Sequence, residues 1–110
     1  MSERVKYATS YDGSNYAIDV NGRLLSWGNN SVGRLGHSNT DYQTTPKVIE
    51  ALENVRQVSV FGSSSSEVRV ACTTEDDSIY VWGNCDAFGL GSKPTPTKLD
   101  QRATHVEVGE

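Results

Sequence analysis

The chain of 110 residues contains two matching segments, and this repetition constrains its fold more than any local motif does. The triplet Trp27-Gly28-Asn29 returns as Trp82-Gly83-Asn84, and each triplet is followed after the same gap by Leu35-Gly36 or Leu90-Gly91. These are the only two tryptophans in the chain, and they lie 55 positions apart. The chain is therefore expected to consist of copies of one supersecondary unit.

Each unit has the pattern of short β-strands. Residues 5–9 and 16–20 alternate between apolar and polar side chains, which is typical of half-buried strands. Asn21-Gly22 is predicted to form a type I′ hairpin turn, because both residues tolerate a positive φ. Asp76-Asp77 stands at the equivalent place in the second unit, where a looser turn is expected because two aspartates suit this conformation less well. The pattern predicts an all-β protein.

Four short strands in a unit of this length favour the blade of a β-propeller, built from antiparallel strands. WD-type units are shorter and contain a Trp-Asp pair, kelch units carry a different glycine signature, and solenoid repeats need apolar spacings that this chain lacks. The first unit is predicted at residues 1–54 and the second at 55–104. Residues 105–110 are predicted to begin a third.

Composition narrows the function classes. Fourteen acidic and ten basic residues give a net charge of −4, and no run of Lys or Arg offers a stripe for nucleic-acid phosphates. The chain starts without a signal-peptide pattern and has no long apolar stretch, so a non-membrane protein of the cytoplasm or nucleus is expected. Cys72, Cys85, His37 and His105 lack the close spacing of a zinc site. No metal, cofactor or catalytic residue is predicted, and the protein is not expected to be an enzyme.

The order of residues within the first unit resembles a known repeat. A turn at Asn21-Gly22 leads through an apolar strand to Trp27-Gly28-Asn29, and then to Gly33-Arg34-Leu35-Gly36. This order is similar to the regulator of chromosome condensation repeat of the Ran exchange factor family, which has Asp-Gly, an apolar strand, Trp-Gly, Asn and Gly-Gln-Leu-Gly. Residues 78–91 form a weaker copy, with Phe88 in place of Gly33. The resemblance implies a ring of seven four-stranded blades, of which this chain would supply about two.

The resemblance also suggests roles for single residues. Family units usually carry a His ahead of the second strand, where this chain has Ser14, and the equivalent place in the second copy falls near Arg69. Asp12 lies where some family units place an acidic residue on the loops that face the GTPase. The residues expected to contact a partner are Asp12, Ser14, Asn29, Asn30, Asn84 and Asp86. The residues expected to pack strands and blades are Trp27, Gly28, Leu35, Gly36, Trp82, Gly83, Leu90 and Gly91.

The predicted function is that of a non-catalytic protein-interaction module whose loops present the binding surface. The resemblance implies guanine-nucleotide exchange on a Ran-like small GTPase as the activity to consider. Exchange requires a rigid face formed by several blades, so the chain is expected either to belong to a longer propeller or to self-associate. The alternative is a stand-alone oligomeric structural or ligand-binding β-protein. Residues 63–66, all serine, are predicted to be a solvated connector.

Overall fold

A computed structural model describes residues 5–62, 67–85 and 91–102. They form two separate four-stranded antiparallel sheets, and in each sheet the strands lie side by side in chain order. The prediction of an all-β protein with four strands in each unit is confirmed. The serine connector, Asp86, Leu90 and the predicted start of a third repeat lie outside the described residues. The strands are β1 (Val5–Tyr11), β2 (Ser14–Asp19), β3 (Leu24–Gly28) and β4 (Gln43–Val48) in the first sheet, and β5 (Val55–Phe61), β6 (Arg69–Thr74), β7 (Ser78–Asn84) and β8 (Ser92–Arg102) in the second.

The type I′ turn lies one hairpin earlier than predicted. Asp12 and Gly13 both have positive φ, 51° and 82°, and form the two-residue connection between β1 and β2. In the β2–β3 connection only Gly22 has a positive φ, and its N–H donates to the Asp19 carbonyl at 3.0 Å. The prediction for Asn21-Gly22 was therefore wrong. The longer turn is stabilised by the Asp19 carboxylate, which accepts bonds from the backbone N–H groups of residues 21 and 23 at 2.9 Å each.

The equivalent turn of the second sheet has the same geometry, so the prediction of a looser turn was also wrong. The N–H of Asp77 donates to the Thr74 carbonyl at 2.9 Å, and Asp77 has a φ of 68°. The Asp76 carboxylate accepts from the Thr74 hydroxyl at 2.5 Å and from the Ser78 N–H at 3.2 Å. These side-chain bonds compensate for the glycine that the second unit lacks, since Asp tolerates the left-handed region better than most residues.

The core lies between the two sheets. One face of β2 packs towards β5, and the short 3₁₀ turn at Ser31–Gly33 packs against β7 and β8. Trp82 is fully buried in this core, whereas Trp27 is half-buried. Trp27 alternates along β3 with core-facing residues, so its side chain lies on the opposite face of the first sheet. The core consists of Tyr16, Ile18, Leu24, Leu35, Ile49, Leu52, Val55, Val58, Val70, Cys72 and Trp82.

Candidate protein-interaction surface

Three chain segments meet at one end of the first sheet. The β1–β2 turn lies at this end, next to the pairing of Ser14 with Gly28. Gly28 also pairs with Gln43, so the β3–β4 loop begins and ends there. We define the loop surface as five exposed or half-buried residues of these segments, namely Asp12, Asn29, Ser31, Asp41 and Tyr42.

Asn29 fastens the turn to the loop. Its backbone N–H donates to the Gly13 carbonyl at 2.9 Å, and its side-chain amide donates to the Asp12 carbonyl at 3.3 Å. Its Oδ1 accepts from both the N–H and the hydroxyl of Ser31, at 3.0 and 2.9 Å. One asparagine therefore bridges the two segments, and the polar groups of the loop surface are held in fixed positions.

The glycine before each of these asparagines is required by the close approach of two backbone segments. A Cβ on Gly28 would lie 2.2 Å from the Gly13 carbonyl oxygen, and one on Gly83 would lie 2.7 Å from the Val68 carbonyl oxygen. Both glycines also have positive φ. The Val68 carbonyl accepts from the N–H of Asn84 at 2.9 Å, as the Gly13 carbonyl does in the first sheet. Gly28 and Gly83 thus perform the same backbone role in both units.

A buried arginine supports the loop surface from behind. The Arg34 side chain has no exposed surface, and its Nη1 lies 3.2 Å from the Asp12 carboxylate, whose side chain is 38% exposed. Nη1 also lies 3.3 Å from both the Asp12 carbonyl and the Ser14 hydroxyl, and Nε donates to the Ser31 carbonyl at 3.1 Å. A buried guanidinium requires such compensation. The sequence offered no signal for this role, because an arginine in a polar loop resembles a surface residue.

Two predicted partner-binding residues are buried beneath the loop surface. Ser14 has no exposed surface, and its hydroxyl donates to the Asn29 carbonyl at 2.5 Å. Asn30 is 2% exposed, and its amide donates to the carbonyls of Asn39 and Asp41 at 2.9 Å each. Its Oδ1 accepts the N–H of residue 35 at 2.9 Å. Ser14 and Asn30 therefore shape the loop surface from within and present no surface of their own.

The same loop joins the two sheets. The Arg34 carbonyl accepts from the Tyr16 hydroxyl at 2.6 Å and from the Trp82 indole N–H at 2.8 Å, both in the buried core. Burial raises the pKa of Tyr16 well above its usual range. The backbone N–H of Ser38 donates to the Pro94 carbonyl at 2.9 Å in β8. A loop that carries exposed groups is therefore attached to both sheets, which fixes its orientation.

Titratable side chains elsewhere are arranged for packing. The His37 ring nitrogen Nε2 lies 2.9 Å from the Ser26 hydroxyl, and burial lowers the pKa of His37, with a further contribution from nearby Lys47. Cys72 is buried, and burial raises the pKa of its thiol to about 12, so it stays protonated at neutral pH. Within the described part of the chain, no three His, Cys, Asp or Glu side chains are placed to hold a metal ion.

The second sheet contributes less to the described surface. Asn84 ends β7 and is half-buried, in the position that Asn29 has in the first sheet. Asp86 and Leu90 lie outside the described residues, and nothing lies within 4 Å of a Cβ built on Gly91. The predicted residues that the structure brings together are therefore Asp12 and Asn29, while Ser31, Asp41 and Tyr42 are additions that the sequence reasoning missed.

Two four-stranded antiparallel sheets of consecutive strands, joined by equivalent loops and packed on each other, are the blades of a β-propeller. The chain superposes on the crystal structure of Prp20p from Saccharomyces cerevisiae, a protein described with its binding properties to Gsp1p and histones. The TM-score is 0.72 at 23% identity. That superposition covers 96% of this chain and 29% of the other. Among residues 5–62, 67–85 and 91–102, no helix is long and apolar enough to cross a membrane.

Residues 21–66 match the Regulator of chromosome condensation (RCC1) repeat, so the chain contains a repeat of this family. It is 40% identical over 74 residues to the E3 ubiquitin-protein ligase HERC2 of Homo sapiens, covering 67% of this chain and 2% of that protein. It is 35% identical over 92 residues to the mitochondrial RCC1 domain-containing protein RUG3 of Arabidopsis thaliana, covering 84% and 19%. The chain thus spans a small part of these relatives, and the resemblance predicted from the tryptophan repeat is confirmed.

Proposed function

We propose that the chain is a non-catalytic protein-interaction module of the chromosome-condensation-regulator type, and that the loop surface is its binding face. The observation that carries this proposal is the fixed presentation of exposed polar groups. Asn29 bridges the turn and the loop, and buried Arg34 holds the Asp12 carboxylate. Groups that are already ordered lose less conformational entropy on binding, which favours affinity.

For the partner, we propose a small GTPase of the Ran class. The support is the RCC1 repeat match together with the similarity in fold to Prp20p, a protein described with its binding properties to Gsp1p. Nucleotide exchange would require a face wider than one loop surface, so it would involve further repeats in the same polypeptide or a second copy. We also propose that the repeats divide at 1–54, 55–104 and 105–110. The protein would act in the nucleus or cytoplasm and without a cofactor.

The test is a binding and exchange assay with a Ran-type GTPase loaded with fluorescent GDP. Asp41→Ala removes an exposed carboxylate from the loop surface without touching the Arg34 network, and we expect about threefold or greater weakening of binding. Glu75→Ala removes another exposed carboxylate, in the turn between β6 and β7 of the second sheet, and is the matched control. Absence of binding by the unmodified chain would reject this partner, and equal effects of the two substitutions would reject the loop surface.

A stand-alone oligomeric β-protein is the second candidate, and one observation favours it. Trp27 is half-buried on the outer face of the first sheet, at the repeat position where Trp82 is buried against a neighbouring sheet. An aromatic side chain on a sheet face suits a contact with another sheet. Sedimentation of the purified chain distinguishes the candidates, because a stable assembly that Trp27→Ala dissociates would support this reading, and a monomer would reject it.

A further inference from the structure

Tyr42 is the most exposed large hydrophobic side chain in the described part of the chain. It is 69% exposed, compared with 46% for Tyr7 and 53% for Val20. No hydrogen bond of its hydroxyl group is found among the described residues. Exposed tyrosines are common among the residues that dominate binding energy, because they bury a large ring at the cost of few rotatable bonds. Tyr42 also lies within the loop surface, next to the exposed carboxylate of Asp41.

The backbone on both sides of Tyr42 is fixed. On the N-terminal side, the buried Asn30 amide donates to the carbonyls of Asn39 and Asp41, and the N–H of Asp41 donates to Asn39 Oδ1 at 3.0 Å. On the C-terminal side, Gln43 pairs with Gly28 at the start of β4. The ring is therefore presented on an ordered segment, and a partner would have to restrict only the side-chain torsions.

Charge identifies the kind of partner. Asp12 and Asp41 place two carboxylates on the loop surface. Within residues 11–15 and 28–43, the basic side chains are Arg34 and His37. Arg34 is fully buried, and burial lowers the pKa of the half-buried His37. Arg34 offsets one of the two carboxylates, so the loop surface together with the arginine behind it carries a net charge of −1, which favours Lys and Arg side chains on a partner and disfavours nucleic acid and anionic membranes.

We propose that Tyr42 is the aromatic anchor of the loop surface, and that it packs against a large apolar side chain of a protein segment that also carries Lys or Arg. This inference rests on the proposed role of the loop surface in protein binding, and it is independent of whether the partner is a small GTPase.

The test uses an array of short peptides in which Lys or Arg and a large apolar residue are placed at systematically varied separations, probed with the labelled full chain. Peptides that combine both residue types should bind, and Tyr42→Ala should weaken this binding about tenfold or more. Tyr42→Phe retains the ring and should stay within about threefold, and Tyr7→Ala is the control at an exposed tyrosine on β1, outside the loop surface. Added salt should weaken binding to the unmodified chain.

The outcomes separate this inference from the proposed function. The inference is overturned, even if the GTPase binds, if no peptide requires Tyr42 for binding. It is also overturned if Tyr42→Ala and Tyr7→Ala weaken peptide binding equally. Loss of peptide binding in Tyr42→Ala alone supports it even if the GTPase does not bind. Circular dichroism of each variant verifies the fold, which Tyr42→Ala should leave intact because the side chain is exposed.

Discussion

Replacement of each repeat tryptophan by phenylalanine tests how the two sheets are joined. Trp82→Phe removes the indole N–H that donates to the Arg34 carbonyl at 2.8 Å from a fully buried side chain. Trp27→Phe changes the same residue type at the equivalent repeat position, where the side chain is half-buried and no indole hydrogen bond is found among the described residues. The pair is a matched comparison, because the chemical change is identical and only the environment differs.

The magnitude for Trp82→Phe has three contributions. The Arg34 carbonyl keeps its bond from the Tyr16 hydroxyl at 2.6 Å, so the lost hydrogen bond should cost about 1 kcal/mol and leave no buried acceptor without a partner. The vacated volume, roughly 40 Å³, adds about 1 kcal/mol as a cavity if the core does not collapse. Lost burial of the removed ring atoms adds about 1 kcal/mol more. The sum is about 3 kcal/mol, whereas Trp27→Phe should cost less than about 1 kcal/mol.

The assay is urea unfolding of the full chain, monitored by far-ultraviolet circular dichroism, with the denaturant slope compared among variants. Trp82→Phe should lower the midpoint strongly at an unchanged slope, and Trp27→Phe should lower it slightly. Equal destabilisation by the two substitutions, or a larger effect of Trp27→Phe, would refute the reasoning that the indole of Trp82 holds the loop between the sheets.

Three further predictions concern the loop surface and its supports. Gly28→Ala should destabilise the fold by about 3 kcal/mol, measured by urea unfolding, because the new Cβ would lie 2.2 Å from the Gly13 carbonyl oxygen at a positive φ. Asp12→Asn should cost about 2 kcal/mol in the same assay by weakening the compensation of buried Arg34, with a smaller loss contradicting that role. Burial lowers the pKa of His37 below 6.5, so the folded state disfavours the protonated ring. The contribution of His37 to stability should therefore be complete above pH 6.5 and be lost as the pH falls below it, and thermal melts of His37→Asn should lack this pH dependence.

The repeat in the sequence was sufficient to predict the architecture. Trp27 and Trp82 occupy the same position in each repeat, which implied equivalent strands. The two sheets have matching registers, such as Ser14 with Gly28 and Arg69 with Gly83. Turn types were less predictable. A dipeptide such as Asn21-Gly22 can adopt two positive φ angles, but the neighbouring residues decide whether the turn uses them. At Asn21 the Asp19 carboxylate accepts the backbone N–H two residues on and stabilises a longer turn, a competing local interaction that the Asn-Gly dipeptide alone does not indicate.

The candidate surface was only partly predictable for a similar physical reason. Exposed and buried polar residues look alike in a loop, and only the fold shows that Asn30 supplies internal hydrogen bonds while Asn29 borders solvent. Tyr42 gave no signal, because an aromatic residue before a strand usually packs into a core. In contrast, the repeat places Gly28 at the end of a strand, where a close backbone approach is expected, and a Cβ there would lie 2.2 Å from the Gly13 carbonyl oxygen.

The two units share their backbone geometry but differ in the side chains beneath the loops. In the first unit Ser14 lies on the strand, and Arg34 reaches it from the loop. In the second unit the strand position carries Arg69, whose guanidinium lies 5.5 Å from the centre of the Phe61 ring, and the sequence position equivalent to 34 is a glycine. Because equivalent positions of the two units carry different side chains, their exposed groups need not be equivalent either, and binding residues have to be established separately for each blade, as the substitutions at Asp41 and Tyr42 do for the first.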